Sequence, residues 1–170
     1  MPAQMSGMSH RIIGLAVALL AALALGIALA SEYWGGLVPC ALCLWERWPY
    51  RALIGLGVLA ALLPARIGRA LLCVAAVVLL AAVVLGVVHM GVEWKFWPSP
   101  LPQCAAPDLS NLSIAERLAR MPAIPAKPCD EPTYLIPFLP LSMAAMNFFL
   151  AVAMAGGLIA ALRRRIGTNP

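Results

Sequence analysis

Four stretches of this chain are long and apolar enough to cross a bilayer, which excludes most other architectures. They cover residues 12–30, 41–63, 70–88 and 140–162, each 19 to 23 residues long. About 20 helical residues cross a hydrocarbon core of about 30 Å. Backbone N–H and C=O groups find no water there, so each stretch must close its own hydrogen bonds as an α-helix. Charge is scarce, at 11% of residues, where soluble domains carry roughly 25%. The expected fold is an all-α membrane protein: one domain over residues 1–170, a bundle of four transmembrane helices, and outer loops at about 31–40 and 89–139. Ala28-Leu29-Ala30 resembles a signal-peptidase site, but the apolar run that it ends has 19 residues. A signal-peptide core has roughly 7–15, so the segment is kept as a span.

The net charge of +5 does not signal nucleic acid, because the arginines are dispersed or flank apolar runs and no aromatic-basic face forms. The basic residues divide evenly between the two sides, so their placement and not their number orients the chain. Arg66 and Arg69 occupy the short 64–69 connection, Arg163, Arg164 and Arg165 fill the tail, and Arg11 precedes the first span. Short loops and span ends carry weight in such a reading, and long loops carry little. Both termini are therefore expected in the cytoplasm, with the other two connections outside.

Four of the five cysteines (Cys40, Cys43, Cys104 and Cys129) lie at or in those outer connections, where disulfides persist. Cys73 lies about 6 Å into the opposite end, at 1.5 Å per residue from Arg69. It reads as a small buried apolar residue.

Cys40 and Cys43 stand in the run Pro39-Cys40-Ala41-Leu42-Cys43-Leu44-Trp45-Glu46-Arg47. Two thiols at this spacing can open and close a disulfide. Pro39 suits the first turn of a helix, which stacks the thiols at the positive end of the helix dipole. That end favours a thiolate. Arg47 follows Cys43 by four residues and brings a fixed charge to the same face, where it can favour the thiolate further or hold an oxygen as negative charge builds. Pro49 removes one hydrogen bond and crowds the Trp45 carbonyl, so the helix is expected to kink there or to begin near Trp48. Glu46 is expected at the interface or balancing an arginine, with no part in catalysis. His89, at the outer end of the third span, can donate a hydrogen bond to a carbonyl of a lipid-soluble carrier or shuttle a proton. Ser142 and Asn147 suit interhelical hydrogen bonds. A lone CxxC is also half a zinc site, but zinc would need His89 or the distant Cys104 and Cys129 as further ligands, and no metal is expected.

Ten of the 15 prolines fall between Pro98 and Pro140, so the second outer loop is neither a span nor a regular domain. Within it, Ser113-Ile114-Ala115-Glu116 reads as a capping box opening a short amphipathic helix. Glu116 and Arg120 can pair one turn apart, and the helix is expected to lie on the membrane surface. Cys104 and Cys129 bracket it with 24 residues between them. A disulfide closing that loop would stabilise by roughly 3.5 kcal/mol as a plain staple. The neighbouring dithiol on the same side favours exchange instead. Four cysteines allow three pairings, and spacing does not choose among them.

With these residues assembled, the chain resembles the disulfide bond formation protein B (DsbB) family over nearly its whole length. The resemblance rests on four spans, the Pro-Cys-x-x-Cys-x-x-x-Arg run at 39–47 and a second cysteine pair in the second outer loop. His89-Met90-Gly91-Val92-Glu93-Trp94, Trp97-Pro98-Ser99-Pro100, Cys129-Asp130-Glu131 and Leu141-Ser142-Met143-Ala144 add to it. It implies a multi-pass protein of the bacterial inner membrane, with its redox cysteines in the periplasm. A soluble, DsbA-like thiol oxidase would be its partner, meeting Cys104. Electrons would pass from Cys104–Cys129 to Cys40–Cys43, and from Cys43 to a quinone (ubiquinone ahead of menaquinone) held by Arg47 and His89. Pro140-Leu141-Ser142-Met143-Ala144-Ala145-Met146-Asn147 departs from the family, which usually has a glycine and an aromatic there.

Three rivals remain. A non-enzymatic scaffold would use both disulfides only as staples. A quinol-driven reductase like vitamin K epoxide reductase shares four helices and a CxxC, but here the motif opens the second span. A variant could also oxidise one dedicated substrate.

Overall fold

The computed structural model describes residues 3–104, 113–119, 127–136 and 138–166. Five helices follow in order: α1 (Ala3–Tyr33), α2 (Ala41–Leu62), α3 (Ala65–Glu93), α4 (Ile114–Ala119) and α5 (Met143–Ile166). A 3-10 turn at Pro102–Cys104 precedes α4. Among the described residues there is no strand. Among the described residues, three helices are long and apolar enough to cross a membrane, over His10–Tyr33, Ala65–Glu93 and Met143–Arg164. α2 is not one of them, and Glu46, Arg47 and Arg51 in its first half are what dilute its apolar character.

α1 and α3 overrun at both ends the apolar stretches that foretold them, while α2 keeps to its own. The 64–69 connection shrinks to a sharp corner. Leu63 is extended (ψ 161°), as a residue before proline prefers, and Pro64 precedes the first turn of α3. Arg66 and Arg69 therefore sit on α3 itself. The far end of α3 runs on to Glu93, which carries His89 and Glu93 on one continuous helix. α5 begins at Met143 rather than near Pro140, because Ser142 caps it by accepting from the Ala145 N–H at 3.2 Å. α2 begins at Ala41 and continues through Pro49, so the later start near Trp48 does not occur.

α1 packs mainly on α2, α2 on α3, and α3 on α5. Leu53, Leu72 and Leu79 are fully buried at their junction, among Ala21, Ala60 and Ala75. In lipid such packing rests on close van der Waals contact, and small residues permit it. At the α1–α2 crossing a Cβ on Gly57 would lie 2.5 Å from the Gly14 carbonyl oxygen, so both backbones need glycine there. Large apolar side chains such as Leu19, Leu23, Val77 and Val84 face outward, as a lipid-facing surface requires.

Cys73 corrects an expectation. It is exposed, because Leu72, Ala75, Ala76 and Leu79 occupy the core-facing stripe of α3 and Cys73 falls off it. The capping box of α4 forms as expected. The Glu116 carboxylate accepts from the Ser113 N–H at 3.0 Å, and the Glu116 N–H donates to Ser113 Oγ at 3.4 Å. Those bonds to Ser113 hold the Glu116 carboxyl below its ordinary range. Arg120, its expected partner, lies outside the described residues.

Candidate functional site

The N-terminus of α2 builds the site. Cys40 is not in the first turn but is the N-cap itself, with extended backbone (φ −80°, ψ 169°), and Pro39 precedes it. Its sulfur takes the role usually played by a serine or aspartate oxygen, accepting from the Cys43 N–H at 3.2 Å. The helical turn that follows brings the two free sulfurs to 3.0 Å, where they share a hydrogen bond. The Cys43 thiol, with help from the backbone N–H groups of Cys43 and Leu42, holds the Cys40 thiol below its ordinary range against the effect of burial.

Cys104 and Cys129 are bonded to each other. The proline-rich loop does not carry them off. Lys127 pairs backbone to backbone with Cys40, and the Lys127 ammonium is fixed on the Pro132 carbonyl and the Thr133 hydroxyl, each at 3.0 Å. Cys40, Cys104 and Cys129 thus share one buried cluster with Leu42 and Val92. An oxidised sulfur pair lies against a reduced one. The same bond withdraws Cys104 and Cys129 from the ligand set that zinc was considered to need.

α3 supplies a side chain that meets the Cys40 thiol. His89, 2% exposed, brings Nε2 to 3.4 Å from Cys40 Sγ. Cys40, Cys43 and His89 keep their sulfur and nitrogen atoms within 4.8 Å of one another. Behind the imidazole, Glu46 Oε1 lies 3.2 Å from His89 Nδ1. The two atoms are close enough for an ion pair but are not aligned as a hydrogen bond, and among the described residues neither has a hydrogen-bond partner. Glu46 was expected at the interface or beside an arginine. It is instead buried against His89, and the arginine beside it turns elsewhere: Arg47 Nη1 donates to Glu32 Oε2 of α1 at 2.6 Å.

Arg47 was expected at the thiols. It shares with Cys43, but not with Cys40, the wall of a cavity of about 330 Å³ between α1, α2 and α5, which also includes Glu46, Tyr50 and Asn147 among mainly apolar residues. His89 is not part of that wall among the described residues; it stands on the Cys40 side of the dithiol. Tyr50 donates to Asn147 Oδ1 at 2.5 Å, which leaves the buried Asn147 Nδ2 without a partner. Ser142 donates to Glu93 Oε2 at 2.6 Å. Ser142 and Asn147 therefore make the interhelical bonds expected of them.

Glu32 and Tyr50 escaped the sequence reading, and Glu46 was read without a part in catalysis. A signal was present for Glu46 and Tyr50. Cys43, Glu46, Tyr50 and Leu53 recur at helical spacing, so one face of α2 carries the thiol, the carboxylate and the phenol together. Nothing local marks Glu32, which meets Arg47 only through the α1–α2 packing.

No individually characterised protein and no solved structure gave a match. A family model does match, that of disulfide bond formation protein DsbB, over residues 10–161. The match spans the dithiol, His89, the second cysteine pair and all of α2 and α3, and on it this chain belongs to the DsbB family of membrane disulfide oxidoreductases.

Proposed function

We propose that the protein reoxidises a soluble, DsbA-like dithiol oxidase of the bacterial periplasm and passes the electrons to a membrane quinone. The observation that carries this is the single buried cluster in which the Cys104–Cys129 disulfide meets the Cys40 thiol. A thiolate of the soluble partner attacks Cys104, and Cys129 leaves as a thiolate. The partner's second thiol then closes its own disulfide and releases Cys104. The reduced Cys104–Cys129 pair next exchanges with a Cys40–Cys43 disulfide, which leaves Cys40 and Cys43 as thiols.

The cavity beside Cys43 fits a quinone. Its volume of about 330 Å³ lies within the roughly 300–1,000 Å³ usual for small-molecule sites. Arg47 and the unpartnered Asn147 Nδ2 are donors for a carbonyl oxygen. A quinone bound there supplies an acceptor for two electrons and two protons as the Cys40–Cys43 disulfide forms. In this reading α2 is a fourth span, with Glu46 and Arg47 inside the bundle and α4 on the outer surface. Both termini lie in the cytoplasm.

The test mixes purified protein with a reduced periplasmic dithiol oxidase and ubiquinone, and follows quinone absorbance. Loss of quinone that disappears in Cys43→Ser supports the relay. No loss with the wild type, or equal loss with Cys43→Ser, rejects it.

A further inference from the structure

Glu46 is the buried charge that the sulfur relay leaves unused. It sits about 9 Å along α2 from Cys40, at 1.5 Å per residue, where an ionisable side chain is costly and calls for a partner. Its side chain is 9% exposed and that of His89 2%. Glu46 Oε1 and His89 Nδ1 face each other at 3.2 Å, and neither is satisfied by any other group. On the opposite side of the ring, His89 Nε2 reaches Cys40 Sγ at 3.4 Å. Glu46 also lines the cavity onto which Cys43 opens. Sulfur, imidazole, carboxylate and cavity follow one another without a gap.

We propose that His89 and Glu46 carry the proton of Cys40 into the cavity while Cys43 delivers the electrons there. The proposal rests on the quinone reading above. Closing the Cys40–Cys43 bond removes two electrons and two protons from the thiols, and a quinone takes up both pairs on becoming a hydroquinone. The Cys40 proton moves to His89 Nε2, the Nδ1 proton moves to Glu46, and the carboxyl releases it into the cavity. Cys43 loses its own proton directly to the cavity that it lines.

The carboxylate has a second effect. Placed 3.2 Å from Nδ1, it favours a proton on that nitrogen, and so the tautomer whose bare Nε2 faces the sulfur and can accept a proton there. Other charged groups nearby are committed. Glu93, one turn beyond His89 on α3, is bonded to Ser142. Arg47 is bonded to Glu32, and the Lys127 ammonium to the 132–133 segment. Among the described residues, Cys43 is the remaining titratable group bonded to Cys40.

The test uses Glu46→Gln, which keeps the volume of the side chain but accepts no proton. In protein stripped of quinone, the rate of Cys40 alkylation by iodoacetamide is followed against pH by mass spectrometry. Near neutral pH it should fall about tenfold relative to wild type, and the two rates should converge at alkaline pH. With ubiquinone restored, single-turnover quinone reduction should slow by about 100-fold near neutral pH, the scale of general acid–base catalysis. Glu46→Gln combined with His89→Gln should be no slower than His89→Gln alone. Superimposable alkylation profiles, or losses that multiply in the double variant, overturn the proposal. If wild-type protein reduces no quinone, the cavity reading fails, and the alkylation profile alone decides whether Glu46 acts on Cys40. Should Glu46→Gln not assemble, the profile of His89→Gln serves in its place.

Discussion

Arg47 donates to Glu32 at 2.6 Å, tying α2 to α1 at the wall of the cavity beside Cys43. Glu32→Gln keeps the shape but leaves the guanidinium, nearly buried, without its counter-charge. Hydrogen bonds to charged groups contribute about 1.5–3 kcal/mol, and the Glu32 side chain is 26% exposed, so a loss of about 1–2 kcal/mol is expected. Thermal unfolding in detergent checks it. An unchanged melting curve would show that the pair does not hold α1 to α2.

Gly91 lies under the Trp97 ring. A Cβ there would come within 1.9 Å of the indole, which is itself fixed by donating to the Val88 carbonyl at 3.2 Å. Gly91→Ala must push Trp97 away, and with it the segment leading to Cys104. The expected result is Cys104–Cys129 reduction by a water-soluble phosphine about tenfold faster, since local opening that is easier by about 1.4 kcal/mol changes a rate tenfold. Equal reduction rates would mean that Trp97 does not shelter the disulfide.

Gly57→Leu forces a side chain into the α1–α2 crossing, where the Gly14 carbonyl leaves no space. Overpacking of this kind costs about 1–3 kcal/mol. The variant is expected to unfold at lower denaturant, while Gly55→Leu, with open space at its Cβ, should not. Similar curves for the two would contradict the close crossing.

The capping box of α4 carries a pH dependence with a definite sign. Glu116 is held below its ordinary range by Ser113. A carboxyl with a depressed folded-state pKa stabilises above its unfolded value, and that contribution is lost as pH falls through the lower folded value. Amide protection in α4 should therefore decline on acidification below the usual carboxylate range. In Ser113→Ala it should be weaker and should lose that dependence. Hydrogen exchange resolved at Glu116 makes the measurement, and a parallel acid profile in both proteins would exclude the box as its cause.

The bundle was legible because its cause is local. A run of apolar residues in lipid has to satisfy its own backbone, so the stretches at 12–30, 70–88 and 140–162 named their helices, and only the ends moved. Those ends depend on features that hydropathy does not weigh: a proline corner at Pro64 and a serine cap at Ser142. The Ser113–Glu116 box, also local, was read correctly. Cys73 was not, because burial within a helix depends on which way the helix faces.

The same division holds at the site. The sequence by itself set the spacing of Cys40 and Cys43, the charge of Arg47 and Glu46 on the first turns of α2, and the presence of a second cysteine pair, since these follow from position along the chain. The tertiary structure decided which group each would meet: His89 for Cys40, Glu46 for His89, Glu32 for Arg47, and Cys104 for Cys129. Those partners lie on different helices or across a long loop. Their meeting depends on how the helices rotate and cross, which small residues such as Gly14 and Gly57 control and no local pattern encodes.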